Sequence, residues 1–236
     1  MALRPAWLAV SFALVAGVAV ACTHTVSKEV DDPAGDDDDD AGSSGLAALQ
    51  FRPAQMYSGV DGTHAFKVPF AIYNAGDDVE VTASPASAVK ITPKALAAAE
   101  GDKGKYYFAE TKAAGDVTLT VKSNGKTASG TLHIEQYAAA RWSAGEQRYI
   151  NAVDDAHPAC SKCHGEGGID HSPSALASVT DEKIGLIMST GLSTGNFPIS
   201  VDKTQYPDGH KWTSGPGPEQ DGLITYLRAL EPKGFK

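Results

Sequence analysis

The segment Ala159–Gly168, ACSKCHGEGG, carries the densest chemistry of the 236-residue chain. Cys160 and Cys163 stand two residues apart, and His164 follows the second cysteine directly. Two thiols one local turn apart reach the same side of a bound group, and the adjoining imidazole is held against it. Cys-x-x-Cys-His is the attachment pattern of a c-type haem, with two thioether bonds to the porphyrin and the histidine on the iron. A zinc site would recruit His171 or His157 as a fourth ligand, but structural zinc usually pairs two short motifs and no second one is present. A redox dithiol wants a βαβ setting, which the surrounding sequence lacks. A Cys160–Cys163 disulfide would close a very tight loop and leave His164 unexplained. The residues therefore predict one covalent haem c, attached at Cys160 and Cys163 with His164 as axial iron ligand.

Such a site needs elements to hold it. From about residue 140 the sequence has helical texture. RWSAGEQRYINAV predicts a first helix, with Ser143 and Glu146 as a capping box. TDEKIGLIMSTG predicts another, with Thr180 as cap, Asp181 and Glu182 at the positive end and Gly191 as stop. Ile184, Ile187 and Met188 fall on one face of it. PEQDGLITYLRALEPKG predicts a last helix opened by Pro218 and ended by Pro232 and Gly234, with an apolar stripe through Leu223, Tyr226, Leu227 and Leu230. The connecting loops are long and rich in glycine and proline. So small a segment needs an internal staple, which a covalent haem would supply.

These features together make residues 141–236 similar to a bacterial class I c-type cytochrome domain. GEQRY resembles the family's first helix, CSKCHGEGG its binding site, DEKIGLIMSTG its third helix and GLITYLRAL its closing helix. The resemblance implies an all-α class I cytochrome c fold and a close approach of Tyr226 to Gly145. It implies that the carbonyl of Pro173, in the SP pair, supports the proximal histidine. It also implies a distal iron ligand between the third and last helices. No methionine lies in residues 191–217. His210, in DGHKW, stands where one is expected, and Met188 on the preceding helix is the alternative. His171, two residues before Pro173, is placed by the same resemblance on the proximal side.

Residues 46–137 read as strands. VTLTVKSNGKTASGTLHIE alternates Val117, Leu119 and Val121, then Leu132 and Ile134, about an Asn124-Gly125 hairpin turn. AFKVPFAIYNAGDDVEV and KYYFAE supply three more strands, and ALQF and VKIT are short candidates. Six or seven short strands in about 90 residues suit a β-sandwich. The segment resembles a bacterial immunoglobulin-like (Ig-like) domain in length and strand spacing. His64 and His133 read as isolated surface residues.

Residues 1–21 read as an export signal: Arg4, an apolar stretch from Ala6 to Val20, and a small-residue cleavage site at Ala19-Val20-Ala21. Cys22 directly after it resembles the acylated cysteine of bacterial lipoproteins, although Ala19 replaces the usual leucine. Residues 22–45 are then a lipidation site and a charge-repelled spacer. Glu29–Asp40 holds eight of the 29 acids, leaving 21 against 18 Lys/Arg in residues 41–236. That balance argues against a nucleic-acid partner. The expected organisation is a signal peptide (1–21), the linker (22–45), an all-β Ig-like sandwich (46–137) and an all-α cytochrome c domain (138–236). The expected location is the periplasm or outer cell envelope, anchored to the membrane. The expected function is that of a non-enzymatic single-haem electron carrier serving redox partner proteins. The alternatives are a haem enzyme or gas or redox sensor with an open distal site, and an Ig-like docking protein with an accessory haem domain.

Overall fold

The computed structural model describes residues 47–98, 101–165, 168–202, 204, 206, 208–213 and 215–236. The export signal, Cys22 and the acidic spacer lie outside the described residues. Two four-stranded sheets face one another. The first runs in the order β1 (Gln50–Arg52), β3 (Lys67–Tyr73), β6 (Lys105–Thr111), β5 (Val89–Lys94), all antiparallel. The second runs β2 (Gln55–Val60), β8 (Lys126–Gln136), β7 (Gly115–Ser123), β4 (Glu80–Ser84), with β2 and β8 parallel.

Alternation places the core. Val117, Leu119 and Val121 of β7 are buried while Thr118 and Lys122 face outward. They meet Val68, Phe70 and Ile72 of β3, together with Met56 and Leu132. The β7–β8 hairpin turns on Asn124 and Gly125, both at positive φ (50° and 72°), as a turn matched to strand twist requires. Strand β2 was not legible as a strand in the sequence. Its burial does not alternate, because Gly59 lies against the Tyr137 ring, where a Cβ would sit 1.8 Å from a ring carbon.

A helical layer follows: α1 (Ala139–Ile150), α2 (Ser161–His164), α3 (Pro173–Leu176), α4 (Asp181–Thr190) and α5 (Pro218–Ala229). Helix α1 begins four residues before Ser143, so the expected capping box is not its start. Its N-cap is Ala138, without a side-chain cap. The start is set by tertiary anchoring instead: Tyr137 is buried and its N–H donates to the Val60 carbonyl at 2.8 Å. Helix α4 follows the local signals, with Thr180 Oγ1 accepting from Lys183 N–H at 3.1 Å and Gly191 closing it at φ 70°. Helix α5 stops at Ala229 because Leu230 is extended.

The layer is fastened to the sandwich. Arg228 is 1% exposed and donates through Nε and Nη2 to Asp181 Oδ1 (2.9 and 2.8 Å) and through Nη1 to the Leu176 carbonyl (2.8 Å). Its Nη2 also reaches the Val179 carbonyl. Tyr137 Oη donates to Asp181 Oδ2 at 2.5 Å, and burial pushes that phenol far above its ordinary range. Ala177 sits in the sandwich core and accepts from Tyr57 N–H at 2.8 Å. His64 is not isolated: it pairs with Asp61 at 2.6 Å and stacks on Trp142 of α1 at 4.1 Å. His133 is partly exposed, as expected, but pairs with Asp116 at 2.7 Å and stacks on Tyr57.

The expected fold class, an all-β sandwich followed by an all-α class I cytochrome c fold, is corrected accordingly. The described structure is a β-rich two-sheet fold with a minor layer of short helices packed on it, and not an all-α cytochrome c domain. The strand part matches the sandwich expectation.

Candidate functional site: a histidine-lined cavity

The site begins at the crossing of α1 and α5. Gly145 and Gly222 let the two backbones meet: a Cβ on Gly145 would lie 1.9 Å from the Gly222 carbonyl oxygen and 2.8 Å from Tyr226 Cβ. The Gly145–Tyr226 approach expected from the sequence is present, but Gly222 is the principal partner. The crossing sets Tyr149 of α1 beside Leu223 and Leu227 of α5. With Leu176, Ile184, Ile187 and Met188 they wall a cavity of about 60 Å³.

Cys160, His164, His171, His210 and Trp212 complete the lining. Helix α2 is one turn long, with the N–H groups of Cys163 and His164 donating to the Cys160 carbonyl at 3.2 and 3.0 Å. His164 is buried; its carbonyl accepts from Tyr149 Oη at 2.9 Å and its Nδ1 lies 3.4 Å from the Ile169 carbonyl. Burial pushes the Tyr149 phenol up to about 12. Pro173 is buried at the start of α3, but its carbonyl accepts from Ala177 N–H at 2.9 Å. The carbonyl facing His164 is therefore that of Ile169, a role the resemblance assigned to Pro173.

His210 reaches the cavity from the loop after α4. Gly191 makes room for it, since a Cβ there would lie 3.0 Å from the His210 carbonyl oxygen, and Trp212 N–H donates to the Met188 carbonyl at 2.8 Å. The rings of His164 and His210 are 6.1 Å apart and nearly perpendicular (86°). His171 stacks on His164 at 3.4 Å. Burial, reinforced by the charges of His164, His210 and Lys233, lowers its pKa to about 3, so it stays neutral through the physiological range. Met188 is buried in the small cluster beneath the cavity, so both candidates for a distal ligand, His210 and Met188, line the same space. His157 pairs with Asp154 at 2.8 Å and is absent from the lining.

The two cysteines part company. Cys160 is a free thiol on the cavity wall, and burial raises its pKa, so it is protonated rather than thiolate. Cys163 is held in a disulfide. The geometry thus offers an apolar planar group three imidazoles and one thiol, and the second thiol only after reduction of that disulfide. Among the described residues no group of three or more His, Cys, Asp or Glu is assembled to hold a metal ion by itself.

No family model matches the chain, and no curated protein matches it. Solved structures do. The chain is similar to domains 4 and 5 of the S-layer protein SbsC (14% identity, TM-score 0.30, covering 38% of this chain and 52% of that one). It is similar to the M1 domain from titin (13% identity, TM-score 0.28, covering 38% of this chain and 95% of that one). It is also similar to the I-band fragment I67–I69 of titin (10% identity, TM-score 0.23, covering 39% and 31%). The matched part spans only about half the length of the S-layer fragment, 52%.

Two expectations are corrected here. The likeness of residues 141–236 to a class I c-type cytochrome domain does not hold: the structure is mixed with two β-sheets, and no family model matches. The reading as a single-haem electron carrier falls with it. Cys160 and Cys163 are not the matched free pair that double thioether attachment uses, no metal-holding group of three is assembled among the described residues, and the fold is mostly β.

Proposed function

We propose that the chain is an exported docking protein in which the Ig-like two-sheet module is the principal unit and the helical layer is an accessory. The observation that carries this reading is that the outer face of the β1-β3-β6-β5 sheet already seats an extended peptide segment. The backbone near Phe235 pairs with the chain after β5, through Lys236 N–H to the Ala95 carbonyl (2.9 Å) and Ala97 N–H to the Gly234 carbonyl (2.8 Å). A sheet face and margin that accept one extended segment have the chemistry to accept another.

Within this reading the accessory layer would carry one haem c, for which the cavity as it stands is too small and would have to open. His164 and His210 would face its iron, Met188 would be the other donor in reach, and Cys160 would be the available attachment thiol. The haem would supply one-electron or gas-binding chemistry to the module. Export through residues 1–21 completes the proposal. Among the described residues no helix is long and apolar enough to cross a membrane.

A photo-crosslinking residue placed at Lys90, exposed on the outer face of the first sheet, tests the docking reading in cells carrying the full chain. One discrete adduct is expected from position 90 and none from Thr118, which is exposed on the other sheet. Adducts from neither position, or from Thr118 alone, would overturn it.

A further inference from the structure

The geometry points to the segment Glu231–Lys236 as a displaceable strap that occupies the docking groove of the Ig-like module, in the place of a partner peptide carrying an aromatic side chain and, a few residues before it, a carboxylate. This rests on the docking reading and names both the groove and its ligand chemistry. Cross-strand register defines the groove. Thr92, Phe108 and Pro69 lie side by side on the outer face, flanked by the row Lys94, Tyr106, Ala71. Phe108 is outward-facing yet only 4% exposed. Its cover includes Phe235, whose ring meets Phe108 edge-on at 4.9 Å and Tyr106 at 5.9 Å. Lys94 Nζ lies 5.0 Å from the Phe108 ring centre. Four residues before Phe235, Glu231 pairs with Lys67 at 2.6 Å. Lysines on the rim and aromatic rings on the floor select an acid-plus-aromatic peptide, and the chain's own segment has that pattern.

The segment is held in its middle by buried Pro232 and by Lys233, whose N–H donates to Ser172 Oγ (3.2 Å) and whose carbonyl accepts from Ser174 Oγ (2.7 Å), and more lightly toward its two ends. The ion pair is exposed, with the Glu231 side chain 67% accessible. Phe235 is half-buried, and two backbone hydrogen bonds join the segment to the chain after β5. Its aromatic end, from Gly234 to Lys236, is the part free to lift, and a partner's apparent affinity is reduced by the fraction of molecules in which it is lifted.

The test uses the purified full chain and a fluorescein-labelled synthetic peptide, Glu-Pro-Lys-Gly-Phe-Lys, copied from residues 231–236. Fluorescence anisotropy should show Phe235→Ala binding the peptide about tenfold more tightly than the unaltered chain. Adding Lys67→Glu to that variant should cancel the gain. Hydrogen exchange at Ala97 and Lys236 reports release of the segment. Equal affinity in the two chains despite released amides would overturn the proposal. Amides that stay protected in Phe235→Ala would overturn it too, because the ring would then not be the holding contact. This assay contains no cellular partner, so its failure is separate from a failure of crosslinking at position 90, which bears on the docking reading itself.

Discussion

Arg228→Ala is expected to lower the thermal midpoint of the chain by about 10 °C, through a loss of about 3–5 kcal/mol. The guanidinium is buried and satisfies Asp181 Oδ1 together with the carbonyls of Leu176 and Val179. Removing it leaves two carbonyl groups unpaired around an emptied buried site and takes the cation from Asp181, whose side chain is 31% exposed. Because Asp181 also accepts from Tyr137 at the end of the sandwich, the same change loosens the helical layer from the sheets. Arg228→Lys keeps the charge but loses the planar fork, and should recover less than half of the loss. Differential scanning calorimetry checks both. A change below about 2 °C for Arg228→Ala would mean that the layer is held elsewhere.

Gly145→Ala and Gly222→Ala should differ although they face one another. Alanine favours a helix over glycine by up to about 1 kcal/mol, so propensity alone predicts that both variants gain stability. At Gly145 the new Cβ meets the Gly222 carbonyl oxygen at 1.9 Å, backbone against backbone, and α1 and α5 must separate. Overpacking of that kind costs about 3 kcal/mol, leaving a net loss of about 2 kcal/mol. At Gly222 the nearest atoms are Gly145 N at 2.9 Å and the Arg141 carbonyl oxygen at 3.1 Å, a milder conflict that propensity roughly offsets. Urea denaturation should therefore show Gly145→Ala destabilised and Gly222→Ala within about 1 kcal/mol of the parent. The opposite order would mean that the helix crossing does not set the cavity walls.

What was legible in the sequence was local. Asn124-Gly125 fixed a hairpin because positive φ at both residues is a property of the dipeptide. Thr180 and Gly191 bounded α4 because a cap and a left-handed stop need no distant partner. Alternation found the inward faces of β7 and β8. The rest depends on contacts remote in sequence. Strand β2 pairs in parallel with a strand some 75 residues later, and a buried glycine against Tyr137 erases its alternation. The start of α1 follows from the burial of Tyr137, so Ser143 and Glu146 misled.

The candidate site was legible as residues and not as an arrangement. Cys160, His164, His210 and Met188 do converge on one cavity, with Met188 on a helix whose apolar stripe the sequence displays. His171 was placed near His164 only through a resemblance, and its stacking at 3.4 Å could not be read from spacing. Neither could the separate fates of Cys160 and Cys163, since i, i+3 spacing fixes which face two thiols share and not what each one bonds. The strap was missed because Glu231 and Phe235 look like an ordinary chain end after a helix. Only the Lys67–Glu231 pair and the edge-on contact with Phe108, both long-range, give them a role.

The central claim is that docking resides in the sheet face and that the cavity is accessory. It is tested most directly by the yield of the position-90 crosslink in two variants of the full chain. His164→Ala, which removes the cavity's central imidazole, should leave the yield within about twofold. Lys67→Glu with Lys94→Glu, which reverses the rim charge, should reduce it about tenfold, as loss of close charge pairs at an interface does. A crosslink abolished by His164→Ala and indifferent to the rim lysines would contradict the account.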